Sequence, residues 1–305
     1  MKTNTFNYSI IIPHHDSSAL LTRCLKAIPV RQDLQVIVVD DNSKDFDVAY
    51  FTKNFPTVKF IETKEGKGAG YARNVGLKNA EGKWILFSDA DDFFNEGFLE
   101  HTDKYLDSDY DIIFFDITSF DSETLEPCEN RNKTISPAIK KGDIESLQWR
   151  VMVCWSKMFN REFIVKNNIS FDEVMSSNDV MFSYKCAANA KKVTIDDSVL
   201  YCNTVNRSSL CYRLTKANIE CRYDVRLRAN RYLYEIGKEQ YHGNLFNFVL
   251  YYQKLGFIDF VKKFGCYIKD SSLKMMLRDF RITFHKSIDV MKTGKTGFSK
   301  QKVVK

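Results

Sequence analysis

The sequence predicts an α/β fold, a three-layer sheet followed by a helical C-terminal region. Three observations predict it. Short β-branched apolar runs alternate with helical segments through the first 120 residues, as a parallel sheet covered by helices on both faces requires. Several of those runs end abruptly in polar clusters. The charge also changes sign along the chain: residues 211–305 hold 20 Lys and Arg against 8 Asp and Glu, a net of +12, while residues 1–210 hold 25 against 31, a net of −6. The two parts therefore have different electrostatic roles.

The strands come first. Residues 8–13 (YSIIIP), 34–41 (LQVIVVDD), 58–62 (VKFIE), 83–89 (KWILFSD) and 111–117 (DIIFFDI) are short apolar runs that suit strands buried on both faces. Helical segments lie between them at 17–28, 45–54, 68–80 and 96–106, with Ser17 or Ser18 as the N-cap of the first. Residues 121–145 read as a loop-rich connection, and 146–210 resume with mixed helix and strand. From about residue 214 the chain reads as three helical stretches, and its tail, TGKTGFSKQKVVK, reads as mobile. The plan is a sheet domain over 1–210 and a basic helical region over 211–305.

Composition sets limits on this plan. With 305 residues, 44% of them hydrophobic, the chain can fill a large core. Thirteen glycines and five prolines argue against long disorder. No apolar run reaches the ~20 residues a membrane span needs. The N-terminal run is too short for a signal peptide and has no small-residue cleavage site, so a cytosolic protein is expected. The eight cysteines form no CxxC or metal-type spacing and read as reduced core residues.

Candidate chemistry gathers at the strand ends, where sheets of this kind bind ligands. The fourth strand runs into FSDADDFF, with Asp89, Asp91 and Asp92 inside four positions. Like charges held this close raise one another's pKa. The cluster is either a solvated turn or a site for Mn²⁺ or Mg²⁺, which prefer oxygen ligands. In GKGAGYARN (66–74), Gly66, Gly68 and Gly70 precede a helix starting near Ala69. Backbone N–H groups there favour anions, and Arg73 adds a cation suited to phosphate. The other reading is a flexible loop with a solvated arginine. A GxGxxG motif is not met, since position 71 is Tyr71. Asp40-Asp41-Asn42-Ser43 closes the second strand, either as a cap and turn or with one Asp accepting from a nucleobase N–H such as uracil N3–H. In SSNDVMF (176–182), Asp179 is either an ordinary helix N-terminal acid or a general base.

Taken in order, SIIIPHHD, VIVVDDNSKD, GKGAGYARNVGLKNAEGKWILFSDADDFF, VCWSKMFNREFIVKNNISF and NDVMFSYKCAANAKKV resemble the family 2 glycosyltransferases, inverting enzymes of the GT-A fold, of the kind that builds bacterial surface polysaccharides. The likeness spans roughly 8–210, and the block 66–94 is its most specific part. It implies a nucleotide-binding sheet with a donor half over about 1–120 and an acceptor half over about 121–210. It implies that Pro13 and His15 line a base pocket, Asp41 binds a uracil-like edge, and Gly66, Gly68, Arg73 and Asp89 lie at the donor. Asp91, assisted by Asp92, would ligate Mn²⁺ or Mg²⁺, and Asp179 would be the catalytic base. Three positions depart from the usual pattern: His15-Asp16 replaces Tyr-Asn, DDNS replaces DDGS, and Asn178 replaces the Glu before the base. The neutral Asn178 removes a like charge, which lowers the pKa of Asp179 relative to a Glu-Asp pair.

The resemblance implies metal-dependent transfer from a nucleotide-diphosphate sugar, with UDP as the nucleotide, to a saccharide or lipid-linked saccharide hydroxyl. The alternative class is a non-catalytic nucleotide-sugar-binding or scaffold protein. A sugar nucleotidyltransferase would place a Gly- and Arg-rich loop after the first strand, where PHHDSS stands instead. A processive synthase would need membrane spans. No nucleic-acid-binding module is present. In the basic region, Tyr251, Tyr252, Phe257, Phe260, Lys262, Lys263 and Phe264 fit two readings equally: an anionic membrane surface at the inner face of a membrane, or a helical core or homodimer seam.

Overall fold

Four strands build the first half of the sheet. β1 (Tyr8–His14), β2 (Leu34–Asp41), β3 (Val58–Thr63) and β4 (Trp84–Phe87) all run parallel, in the order β3-β2-β1-β4. Ile11 is the hub of the register, opposite Ile37 on one side and Phe87 on the other. β1, β2 and β4 are buried at every position, as their continuous apolar runs require. β3 departs from that expectation: as the outermost strand it is only half-buried. In this computed structural model, residues 6–129, 132–205 and 215–293 are described.

Beyond β4 the sheet continues through β7 (Lys157–Asn160), β6 (Ile112–Asp121), β8 (Val193–Val205) and β5 (Phe93–Phe94). β7 is antiparallel to both β4 and β6, while β6 and β8 are parallel. The covering helices are α1 (Ser18–Lys26), α2 (Val48–Asn54), α3 (Ala69–Asn79), α4 (Phe98–Asp103), α5 (Ile135–Lys141), α6 (Ile144–Arg150), α7 (Arg161–Lys166) and α8 (Asp179–Asn189). Two local expectations change. Ser17 sits at the N-cap of α1 but makes no side-chain cap bond. Its N–H instead donates to His14 Nε2 at 3.3 Å. The connection read as loop contains α5, which buries Ile135, Ala138 and Ile139, one helical stripe.

An aromatic cluster sets α8 against β4. Phe171 and Phe182 stack at 3.9 Å between centroids, and Phe87 meets them edge-on at 5.1 and 5.7 Å. Each such ring contributes about 1.5–3 kcal/mol by burial. The packing fixes the start of α8 relative to the end of β4, and both ends carry candidate residues.

The chain divides into two compact units, Met1–Asn206 and Arg207–Lys305. The second contains α9 (Lys216–Glu235), α10 (Phe246–Tyr252), α11 (Phe257–Asp270) and α12 (Leu273–Thr293). The middle helical stretch of the sequence breaks at Gly256 into α10 and α11. Tyr223, Leu227, Leu245, Val249, Tyr267 and Met275 form one core, and Ile219, Tyr251 and Tyr252 another, with Phe260 packed against both. Tyr251 and Tyr252 are thus core residues and not part of a membrane-facing surface. Among the described residues no helix is long and apolar enough to cross a membrane, and the described cysteines are free thiols. The tail from residue 294 and the boundary drawn at 210/211 lie outside the described residues.

Candidate active site

The acidic turn is built from the end of β4. Ser88 N–H still donates to Ile11 C=O at 3.1 Å, and Asp92 N–H then donates to Asp89 C=O at 3.1 Å, closing the turn. One carboxylate oxygen each from Asp89, Asp91 and Asp92 lies within 4.8 Å of the others. Asp89 Oδ1 accepts from Arg73 Nη2. Asp92 is buried, and both its oxygens are engaged: Oδ2 accepts from Tyr201 O–H at 2.9 Å and Asn203 Nδ2 at 3.0 Å, and Oδ1 from Thr204 N–H at 2.7 Å. Burial, with the charges of Asp91 and Asp89, pushes the Asp92 carboxyl well above the usual carboxylate range. The Asp91 carbonyl accepts from Arg23 Nη2 at 2.6 Å and Thr204 Oγ1 at 2.7 Å. The turn is therefore clamped by β8 on one side and α1 on the other.

This cluster fits a divalent cation, since it offers only oxygen donors at close range. The sequence pairs Asp92 with Asp91 as metal ligands. The structure brings Asp92 into the cluster but also gives its oxygens three protein donors.

Arg73 joins this turn to the second carboxylate site. Gly68, at φ 90°, precedes α3. A Cβ on Gly70 would lie 2.0 Å from Asp172 O and 2.8 Å from Asn178 Cβ, so glycine is needed for α3 to approach the 172–178 loop. One turn into α3, Arg73 Nη1 donates to Asn178 Oδ1 at 2.7 Å while Nη2 holds Asp89. Its guanidinium also lies over Phe171 at 5.4 Å. The sequence reads Arg73 as a phosphate cation near the donor; the structure buries it and commits both arms to protein partners. Asn178, the departure from Glu, supplies a neutral acceptor to that arm.

Asp179 opens α8. Burial raises its carboxyl, with Arg73 and Lys157 pulling the other way. The sequence reading had no role for Lys157, which lies on β7 within VCWSKMF. Its Nζ donates to Val151 C=O at 2.9 Å, and burial pushes its pKa down to about 8.

The ends of β1 and β2 form the third part. Pro13 is buried within the sheet opposite Val39, and His15 projects an exposed ring whose Nδ1–H donates to Asp41 C=O at 2.9 Å. Asp41 Oδ1 accepts from Lys67 N–H and Thr63 Oγ1, each at 3.2 Å, and Oδ2 accepts from Gly68 N–H. The glycine-loop amides read as anion donors are thus partly taken by Asp41, which the positive φ values of Gly66 and Gly68 allow. One pair was not foreseen: His14 Nδ1 and Asp40 Oδ1 are 2.7 Å apart and buried, and Asp40 also accepts from Ser43 N–H at 3.0 Å. Ser17 N–H points at His14 Nε2, so the proton sits on Nδ1, and burial lowers the His14 pKa. His14 and Asp40 are cross-strand partners, a relation visible only once the register is known.

This mixed sheet, with an acidic strand end facing a helix that opens on a carboxylate, defines a protein of the GT-A type. The chain belongs to glycosyltransferase family 2: the model of "Glycosyl transferase family 2" matches residues 9–166. It is 28% identical over 201 residues to the poly(ribitol-phosphate) beta-N-acetylglucosaminyltransferase TarS of Staphylococcus aureus, covering 62% of this chain and 34% of TarS. It is 27% identical over 215 residues to the uncharacterized glycosyltransferase YibD of Escherichia coli, covering 66% of this chain and 62% of YibD. The chain thus spans about a third of TarS and less than two thirds of YibD. Its fold matches the crystal structure of S. aureus TarS 1–349 in complex with UDP-GlcNAc, with a TM-score of 0.66 at 20% identity, covering 88% of this chain and 83% of that one.

Proposed function

We propose that the chain transfers a sugar, with inversion, from a UDP-sugar to a hydroxyl of a saccharide or lipid-linked saccharide, on the cytoplasmic side of a bacterial membrane and in surface-polymer synthesis. The observation that carries this reading is the two-armed contact of Arg73, which ties the acidic turn at Asp89 to Asn178, beside Asp179. Donor-side and acceptor-side carboxylates are held in one frame, as a two-substrate reaction needs. Family membership and the UDP-GlcNAc held by the fold neighbour TarS support the donor class.

In this reading Asp179 takes the proton of the acceptor hydroxyl as its oxygen attacks the anomeric carbon. Its raised pKa makes it a stronger base once ionised. Asp91, with Asp89, would hold Mn²⁺ or Mg²⁺, which neutralises charge on the departing diphosphate. Asp92 keeps the turn in place through its contacts with β8. Asp41 orders the glycine loop; three donors leave about one lone-pair site of its carboxylate for a nucleobase N–H. His15 offers a face for the base and Pro13 the floor beneath it.

The test is a panel of nucleotide sugars with Mn²⁺, Mg²⁺ or chelator, read by thermal shift and by donor hydrolysis. Metal-dependent stabilisation and hydrolysis with one UDP-sugar supports the reading, and Asp91→Asn should abolish both without changing the fold. Stabilisation without hydrolysis or transfer would make the chain a nucleotide-sugar-binding protein. No response to any nucleotide would reject both.

A further inference from the structure

Most exposed large hydrophobics of the first unit lie singly, as on any soluble surface. In the second unit they gather on two consecutive helices. On α12, Leu273, Leu277, Phe280 and Phe284 follow at spacings of four, three and four, so they form one stripe along the helix. All four are exposed, Leu273 at 69% and Phe284 at 66%. On α11, Phe257, Val261 and Ile268 continue the same spacing and are likewise exposed, Phe257 at 78%. The opposite faces are already occupied: Tyr267 and Met275 belong to the core, and Asp279 accepts from Leu245 N–H at 3.1 Å and Tyr267 O–H at 3.2 Å. Among the described residues the stripes thus lie on the outer sides of these helices, with Phe280 also resting one side of its ring against Phe246 at 4.7 Å and Tyr267 at 6.5 Å.

The charges beside the stripes are one-signed. Between residues 254 and 285, Lys254, Lys262, Lys269, Lys274 and Arg281 are exposed, and every acid is at least partly buried. Asp259 pairs with Lys216 at 2.7 Å, Asp270 accepts from Tyr223 O–H at 3.3 Å, and Asp279 is inside. Glu239, from outside this stretch, meets Lys274 at 3.3 Å. An open groove of about 510 Å³ lies between Phe280, Arg281, Thr283 and Phe284, apolar with a cation at its edge.

We propose that this outer face of α11 and α12 docks on an anionic lipid surface. Large apolar side chains flanked by cations are what inserts at the boundary of headgroup and acyl chain, and the cations gain from the negative surface potential. The alternative occupant, a second copy, is disfavoured by the same charges. A two-fold contact places the same patch on itself, so the exposed Lys262, Lys269 and Arg281 of one copy would meet a surface whose exposed charges have the same sign. The face does not depend on the transfer reaction, so its failure leaves that reading untouched.

The experiment is flotation of the full chain with vesicles of phosphatidylglycerol and of phosphatidylcholine, at low and high salt, with molar mass measured in parallel. The proposal expects binding to the anionic vesicles that weakens at least about tenfold as salt screens the cations, and little binding to the neutral ones. Leu277→Glu with Phe284→Glu, and separately Lys262→Glu with Lys269→Glu, should each reduce the bound fraction by about tenfold or more. All these side chains are exposed, so melting temperature and donor hydrolysis should stay at wild-type values. Absence of vesicle binding overturns the proposal. So does equal, salt-independent binding to both vesicles, or a dimer without lipid that Leu277→Glu and Phe284→Glu convert to monomer.

Discussion

Replacing Arg73 by lysine keeps the charge and removes the fork. The guanidinium spans Asp89 and Asn178 with separate arms, and a single ammonium on a straight stem holds one of them well. A hydrogen bond to a charged group contributes about 1.5–3 kcal/mol. The Asp89 side chain is a third exposed, so solvent screens that arm and the lower half of the range applies. A loss of about 2 kcal/mol is expected, which for a unit of this size lowers the melting temperature by roughly 4–8 °C. Turnover should fall further than stability implies. Once Asp89 and Asn178 are no longer fixed to one group, the acidic turn and Asp179 drift apart, and a misplacement of about 1 Å costs on the order of a hundredfold. The assays are thermal unfolding and donor hydrolysis under saturating donor and metal. Arg73→Lys with wild-type melting and wild-type turnover would refute the reasoning. Lowered melting with unchanged turnover would reduce Arg73 to a structural pin.

Three further outcomes are expected. Asn178→Asp adds a like charge beside Asp179, so the acid limb of the pH–rate profile should move to higher pH; Arg73 opposes this, and a limb that stays put would show that Asp179 is not the titrating base. Asp92 has a raised native pKa, so its stabilising contribution is full below the ordinary Asp value and is lost as pH rises through the native one. Asp92→Asn removes that loss, so its melting deficit against wild type should narrow from acidic to neutral pH; a constant deficit in thermal scans would contradict the shift. Gly70→Ala drives a methyl group into Asp172 O, and a destabilisation of about 1–3 kcal/mol should appear in denaturant titration, since the obstacle is backbone.

Much of the fold was readable because parallel strands buried on both faces have a distinctive composition. β1, β2 and β4 are such runs, and their polar ends supply the candidates His15, Asp41 and Asp89. β3 has a similar composition yet lies at the edge, because position in a sheet depends on partners and not on the run itself. α5 was hidden since its three buried residues span barely more than a turn. The candidate site was legible as an inventory of residues but not as a set of contacts. Nothing local says that Asp92 would be taken by Tyr201 and Thr204, that Asp41 would face the glycine loop, or that Arg73 would turn toward Asn178. Those pairings cross from about 25 to more than 110 residues of chain. In the basic region, alternating aromatics and lysines fit a core and a surface equally well. Helix phase then sent Tyr251 and Tyr252 inward and left Phe257 outside.

The clamp on the acidic turn also has a consequence for biosynthesis. Asp92 is held by residues 109 to 112 positions further along the chain. A ribosome that has released the chain through Asp92 has released every acidic residue of the cluster but none of the strand that fixes it. Until β8 arrives, three carboxylates sit near one another with nothing to hold Asp92, and their repulsion pushes the turn open. The cluster therefore closes late. A nascent chain or a fragment ending before about residue 200 carries the whole acidic motif and still lacks the assembled site.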